Sequence, residues 1–293
     1  LAMLGMFFLM TFNYNVLRTL KETLVVTAKG AGAEVIPFIK VWAMFPTAVL
    51  MTFLFAWLSN RYTKERVFYI FMGLFLGYFA LFIFYLYPNH ESLNLHTLAD
   101  WLQSHLPAGF KGFTMMLRHW SFTTFYVMSE LWSNIIVFML FWGFINQITK
   151  IEEAKRFYGL FGLGANLSGI FAGQISVYLS QLSFNPNLPF GHTAWDQSLF
   201  MIMSLVVLCG IGSIILFYCI NRLILNNPKD YCEQAAKEEK AIQGKLSLKE
   251  SFAHLLKSPY LLYITIIVVT YNVSINLIEV LWKDQIHMLY PQA

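Results

Sequence analysis

Between Val67 and Tyr87 the chain carries no charged and no amide side chain. A run of roughly 20 such residues is long enough to cross the hydrocarbon core of a bilayer as a helix. In water it would have to be buried on every side. Six further runs, of at least this length and predominantly apolar, carry only a few charged or amide residues each. They lie at Ala2 to about Val25, Glu34–Ser59, Gly112–Thr149, Arg156–Gln181, Ser198–Leu225 and Ser258–Leu289. Only 12% of the 293 residues are charged, against about 25% in an ordinary soluble domain. The sequence therefore predicts an all-α polytopic membrane protein, because a helix satisfies its backbone polar groups internally where water is absent.

The loops alternate in charge. Arg61, Lys64 and Arg66 fall on one side, as do Lys150, Lys155, Arg156, Arg222 and the basic residues beyond; the other side has Lys29 and Lys111 between its spans. Short basic loops stay cytoplasmic, so the first helix is expected to run outward through the cell (inner) membrane. Leu95, Leu98, Leu102 and Leu106 share a helical face ahead of Pro107, which reads as a short amphipathic helix on the outer surface. Asn226–Lys257 is polar, with mixed charge, and reads as a cytoplasmic linker. The expected domains are thus a bundle at 1–225, a linker at 226–257 and a further helix at 258–293.

That last helix repeats the first. Tyr14, Asn15, Val16, Leu20, Glu22 and Leu24 match Tyr271, Asn272, Val273, Leu277, Glu279 and Leu281 at a constant offset of 257 positions (14 to 271). Five spans lie between the two copies, so both run the same way. A parallel repeat of a six-helix unit is the plan of major-facilitator-like transporters. The chain then supplies a six-helix N-terminal bundle and the first helix of a second bundle, about seven of about twelve helices. It begins inside an apolar run, so the expectation is that residues precede Leu1 and that a longer second half follows Ala293.

Charges inside such helices are costly and mark solute paths by default. Arg18, Lys21, Glu22, Lys40, Arg118, Glu130, Glu279 and Lys283 all lie in or near spans. Tyr14, Arg18 and Lys21 fall on one stripe of the first helix. Glu130 and Asn134 stack on the fourth, and Asn272, Asn276, Glu279 and Lys283 on the seventh. Arg18 with Glu22 and Glu279 with Lys283 are spaced to pair on their own helices, so a purely structural role stays open. The basic groups lead in the first half, and Arg and Lys are the natural ligands of phosphate. A polyanion such as a nucleotide suits them. Tyr14, Trp42, Trp120 and Tyr126 are available to stack on a base.

The fifth helix is rich in glycine. Gly169 and Gly173 form a GxxxG pair read as a close helix contact, with Asn166 and Gln174 as interhelical hydrogen-bonding groups. Its glycines have neither P-loop nor dinucleotide spacing. Cys209, Cys219 and Cys232 and the scattered histidines show no ligand or catalytic spacing, so no metal, no cofactor and no enzyme is indicated. No basic tract points to nucleic acid.

The segments FNYNVLRTLKETLVVTAKG (12–30), AEVIPFIKVW (33–42), YVMSELW (126–132), FWGFINQITKIEEAKRFYGLFGLGAN (141–166) and YNVSINLIEVLWK (271–283) resemble the ATP/ADP translocase family of intracellular bacteria and plastids. The resemblance implies about twelve helices, a major-facilitator-like fold and alternating-access exchange of ATP for ADP plus phosphate. Other members take a wider nucleotide range or couple import to protons. A monomer is the family expectation. Lys40, Glu130 and Glu279 match charged positions that matter in the family, and a further basic position of its second half has no counterpart here. The loop WLSNRYTKER only loosely resembles the major facilitator loop motif, with Asn60 where an Asp is usual.

Overall fold

The computed structural model describes residues 2–148, 151–225 and 258–289. All regular structure among them is helical. The chain divides into two compact units, Leu1–Ile224 and Leu225–Ala293. The expected linker, 226–257, lies outside the described residues.

The first unit is built from α1 (Ala2–Val26), α2 (Val35–Arg61), α3 (Lys64–Leu86), the short α4 (His96–His105) and α5 (Lys111–Arg118), then α6 (Trp120–Asn146), α7 (Ile151–Ser180) and α8 (Ala194–Leu225). The second unit contains α9 (Pro259–Leu289). The chain is an all-α polytopic membrane protein: α2, α3, α6, α7, α8 and α9 are long and apolar enough to cross a bilayer. At 25 residues α1 is also long enough, about 37 Å at 1.5 Å per residue. Asn13, Asn15, Arg18, Lys21 and Glu22 make it less apolar than the others. Its position accounts for this, since α1 packs along α7, α6 and α8 and has protein on most of its sides.

The fourth expected span is corrected. The chain is not one helix from Gly112 to Thr149; it breaks at His119, whose φ of −99° and ψ of 50° end α5 and begin α6. The buried His119 ring donates from Nε2 to the Lys29 carbonyl at 3.0 Å, tying the break to the loop after α1. Starting α8 at Ala194 rather than Ser198 follows from a capping box: the Asp196 amide donates to Thr193 Oγ1, and Asp196 Oδ2 accepts from the Thr193 amide.

The α1–α7 seam also differs from expectation. Gly164, Ser168 and Ala172 are the small residues turned inward, four apart. A Cβ on Gly164 would lie 2.8 Å from Leu4, and Ser168 Oγ donates to Thr11 Oγ1 at 2.9 Å and accepts from Asn15 Nδ2 at 3.4 Å. Gly169 makes only ordinary contact with Asn15, and Gly173 has nothing within 4 Å. Asn166 and Gln174 are exposed and do not bridge helices. The close-packing stripe thus sits one residue round the helix from the predicted pair.

Aromatic rings fill the core. Phe7 stacks on Phe141 at 4.5 Å, Phe68 on Phe217 at 3.8 Å and Phe82 on Phe125 at 4.3 Å. Trp132, fully buried, donates from Nε1 to the Met10 carbonyl at 3.1 Å. Three helices loosen into π turns, at Ile39–Met44, Phe82–Leu86 and Trp132–Phe141. The first lies just ahead of Pro46, which has no amide hydrogen to give Trp42.

The amphipathic segment is helical as α4, but its leucines divide. Ala99 is buried and Leu102 and Leu106 are half-buried, whereas Leu98 and Trp101 are exposed.

Candidate functional site

Lys21 is 5% exposed, in the seam between α1 and α6. Burying an ammonium without a partner costs several kcal/mol. Two groups of α6 meet the cost. Glu130 Oε2 forms an ion pair with Lys21 Nζ, and the Tyr126 ring lies under that nitrogen with its centroid at 4.5 Å. Tyr126 and Glu130 are four residues apart, so one helical face presents both a carboxylate and an aromatic ring to a single cation. The two ion partners are not equally accessible: the side chain of Glu130 is 34% exposed and that of Lys21 is 6% exposed. The carboxylate is therefore the more accessible member of the pair.

Lys40 sits in the π turn of α2 that packs against the first half of α6, the stretch bearing Tyr126 and Glu130. It is half-buried. In a π segment the ladder is wider and side chains are re-aimed, which is why such segments recur at functional sites. Glu130 also lies just before one, Trp132–Phe141, and Asn134 is exposed within it.

The stripe predicted on α1 is divided. Arg18 is exposed and Tyr14 half-buried, and the accessible face continues through Thr19, Glu22 and Thr23. Lys21, expected on that face, turns into the seam instead. An ammonium there gains a carboxylate and a ring that the open face does not supply.

Arg118 is placed elsewhere. It ends α5 and pairs with Asp100 of α4, while its carbonyl accepts from the Leu95 amide at 3.2 Å. It lies before the break at His119, and Glu130 is a further ten residues, about 15 Å, along α6 from Trp120. The arrangement fastens the surface helix to the α5–α6 break and does not bring Arg118 to the Lys21–Glu130 pair. A second pair, Lys111 with Glu34 at 3.0 Å, ties α5 to the start of α2, where a Cβ on Gly112 would lie 2.5 Å from the Glu34 carbonyl oxygen.

The four candidates of the repeat helix belong to the second unit. On α9, Asn272 donates back to the Val268 carbonyl at 2.8 Å and Asn276 to the Asn272 carbonyl at 2.7 Å. Glu279 follows one turn on, and the side chain of Lys283 lies outside the described residues.

Glu130 is expected from the sequence to act as counter-ion to the bases Arg18, Lys21 and Lys40; the structure selects Lys21, 109 positions away, a choice no local spacing announces. One feature escaped the sequence. The Thr11–Ser168–Asn15 cluster had a signal in the spacing of Gly164, Ser168 and Ala172, which the neighbouring glycines obscured.

The chain is similar to ADP,ATP carrier protein 1 of Chlamydia muridarum, with 45% identity over 292 residues, covering 99% of this chain and 54% of the relative. It is 43% identical to the chloroplastic ADP,ATP carrier protein 1 of Arabidopsis thaliana, covering 98% of this chain and 44% of that protein. A plastidic ATP/ADP-transporter of Solanum tuberosum is 42% identical over 287 residues. The chain spans about half the length of the curated relatives it matches. No solved structure matches it. The family described as TLC ATP/ADP transporter matches residues 1–293, the whole of the sequence, and this chain belongs to that family.

Proposed function

We propose that the chain forms the N-terminal bundle, and the first helix of the C-terminal bundle, of a membrane carrier that exchanges ATP for ADP plus phosphate by alternating access. The observation that carries this is the concealed Lys21–Glu130 pair beside an accessible polar stripe on α1. Arg18 on the stripe and Lys40 on the adjoining π turn give a polyphosphate its first cationic contacts. Lys21 is held in reserve behind Glu130. When a phosphate draws the ammonium away, the carboxylate is released toward the cavity; when the nucleotide leaves, the pair closes again. A site that neutralises itself in two ways, by substrate or by its own carboxylate, has a physical basis for exchange. The intermediate with neither partner is a buried, unpaired cation and is disfavoured.

Glu279 and its neighbours on α9 are proposed to contribute from the second half. The protein is proposed to act as a monomer in the inner membrane with its short basic loops cytoplasmic, and to be a carrier rather than an enzyme.

The test is uptake of labelled ATP by cells expressing the full-length protein, with and without preloaded ADP, and with GTP, UTP and CTP as competitors. Exchange predicts uptake that depends on internal nucleotide and survives a protonophore. Uptake that needs no internal nucleotide and collapses with a protonophore would replace it with proton-coupled nucleotide import. Lys40→Ala is expected to weaken nucleotide uptake while leaving helix content intact, and unchanged uptake would remove Lys40 from the phosphate site.

A further inference from the structure

The end of α3 and the start of α8 enclose a cleft of about 780 Å³ that the transport reading does not use. Its size is within the range of about 300–1,000 Å³ usual for small-molecule sites. It lies where two spans, Lys64–Leu86 and Ala194–Arg222, meet their flanking loops, so one end of it is at a membrane boundary.

The walls are built. Tyr87 OH donates to Asp196 Oδ1 at 2.9 Å and joins the two sides at the base. Gly191 has a φ of +75°, and a Cβ there would lie 2.9 Å from the Asp196 Cβ; this glycine lets the loop close over the α8 terminus and sets Phe190 against Phe200 at 4.2 Å. Phe84 adds an edge-on contact with Phe200 at 5.4 Å. The span side of the cleft is therefore aromatic and the loop side polar.

The polar side is rich in acceptors. Asp196 is already satisfied by Tyr87 and by the amides of His192 and Thr193. Glu91 is exposed and makes no hydrogen bond or ion pair among the described residues. His90 Nδ1 lies 2.6 Å from the Tyr87 carbonyl oxygen, so Nδ1 carries a hydrogen, and in the neutral ring Nε2 is then the acceptor. No Lys or Arg lines the cleft. A carboxylate and an imidazole, with no Lys or Arg, disfavour a net-anionic head group and suit one whose outer group donates several hydrogens and carries positive charge.

We propose that this cleft binds a phospholipid with a primary ammonium head group, its amine at Glu91 and His90 and the start of its chains along Phe84 and Phe200. The ethanolamine phospholipids have this chemistry. A choline head group offers the same charge without N–H donors, and a glycerol head group offers neither.

Native mass spectrometry of the full-length protein, supplied in turn with phosphatidylethanolamine, phosphatidylcholine and phosphatidylglycerol, tests this. Phosphatidylethanolamine adducts should exceed phosphatidylcholine adducts by about tenfold, the scale of a charge-assisted hydrogen bond. Glu91→Gln should abolish that preference, and Glu91→Lys should turn it toward phosphatidylglycerol. Since Glu91 is exposed, both variants should keep the parent's thermal midpoint. Equal retention of the three lipids, no retained lipid, or a preference that survives Glu91→Gln would overturn the assignment.

Discussion

α1 and α8 are neighbours in one bundle. Asn13 of α1 donates to the Val206 carbonyl of α8 at 2.9 Å, and a Cβ on Gly212 would lie 3.2 Å from Leu9. Both are longer than a bilayer needs, yet their accessible faces are opposite in kind. α8 exposes Leu208, Ile211 and Ile215, whereas α1 exposes Arg18 and Thr19. In a soluble protein exposure means water. In a membrane protein the exposed side chains report which solvent they meet, and under the proposed transport reading that is lipid for α8 and an aqueous path for α1. The difference also explains why α1, though long enough to span, is less apolar than the six spanning segments.

The sharpest way to break this comparison is at the buried edge of the α1 stripe. Glu130→Ala leaves Lys21 buried without its carboxylate and should cost about 3–5 kcal/mol, whereas Lys21→Met leaves a carboxylate that is one-third exposed and should cost clearly less. Denaturant or thermal unfolding of both variants measures this. Equal losses would mean that Lys21 is not the concealed partner.

Next comes the accessible stripe. Arg18→Ala should weaken apparent ATP affinity by about tenfold with little change in thermal midpoint, consistent with loss of one charge-assisted contact. In a background lacking Cys209, Cys219 and Cys232, Thr19→Cys should react with a membrane-impermeant maleimide and Leu208→Cys should not. Comparable labelling of both would erase the distinction between the faces.

Packing gives a smaller contrast. Gly112→Ala should destabilise by about 1–3 kcal/mol because the Glu34 carbonyl oxygen and the Phe38 ring stand within 3 Å of the new atom. Gly173→Ala meets open space and should be neutral or gain up to about 1 kcal/mol of helix propensity. Urea midpoints at constant slope decide between them.

The smallest effect concerns the break before α6. Burial holds the His119 imidazole below its ordinary pKa, opposed in part by its bond to Lys29, with Arg118, His96 and His90 adding to the depression. The folded state thus takes up this proton less readily than the unfolded chain. Its contribution is complete above the unfolded value near 6.5 and declines as the pH falls below it. The thermal midpoint should fall on acidification through that window, and His119→Gln should flatten the slope.

Much of this was written in the sequence. Charge-free runs such as Val67–Tyr87 demand a bilayer, and a bilayer demands helices. The candidate positions Lys21, Lys40 and Glu130 stood out because charge within an apolar run is expensive. Less was legible where one helix chooses among faces. Gly169 and Gly173 formed the more obvious pair, yet Gly164, Ser168 and Ala172 meet α1, because close approach depends on which stripe the neighbour covers. Arg118 reads locally as part of a span, and the turn at His119 removes it from that span.

By itself, then, the sequence determined the solvent, the helical class and the list of costly charges, since each follows from the transfer energy of side chains along a local run. Only the tertiary structure decided that Lys21 leaves the stripe it shares with Tyr14 and Arg18 for Glu130 and Tyr126. That choice depends on a contact between distant segments, where the cost of burying an ammonium is offset by a carboxylate and a ring that no local pattern could supply.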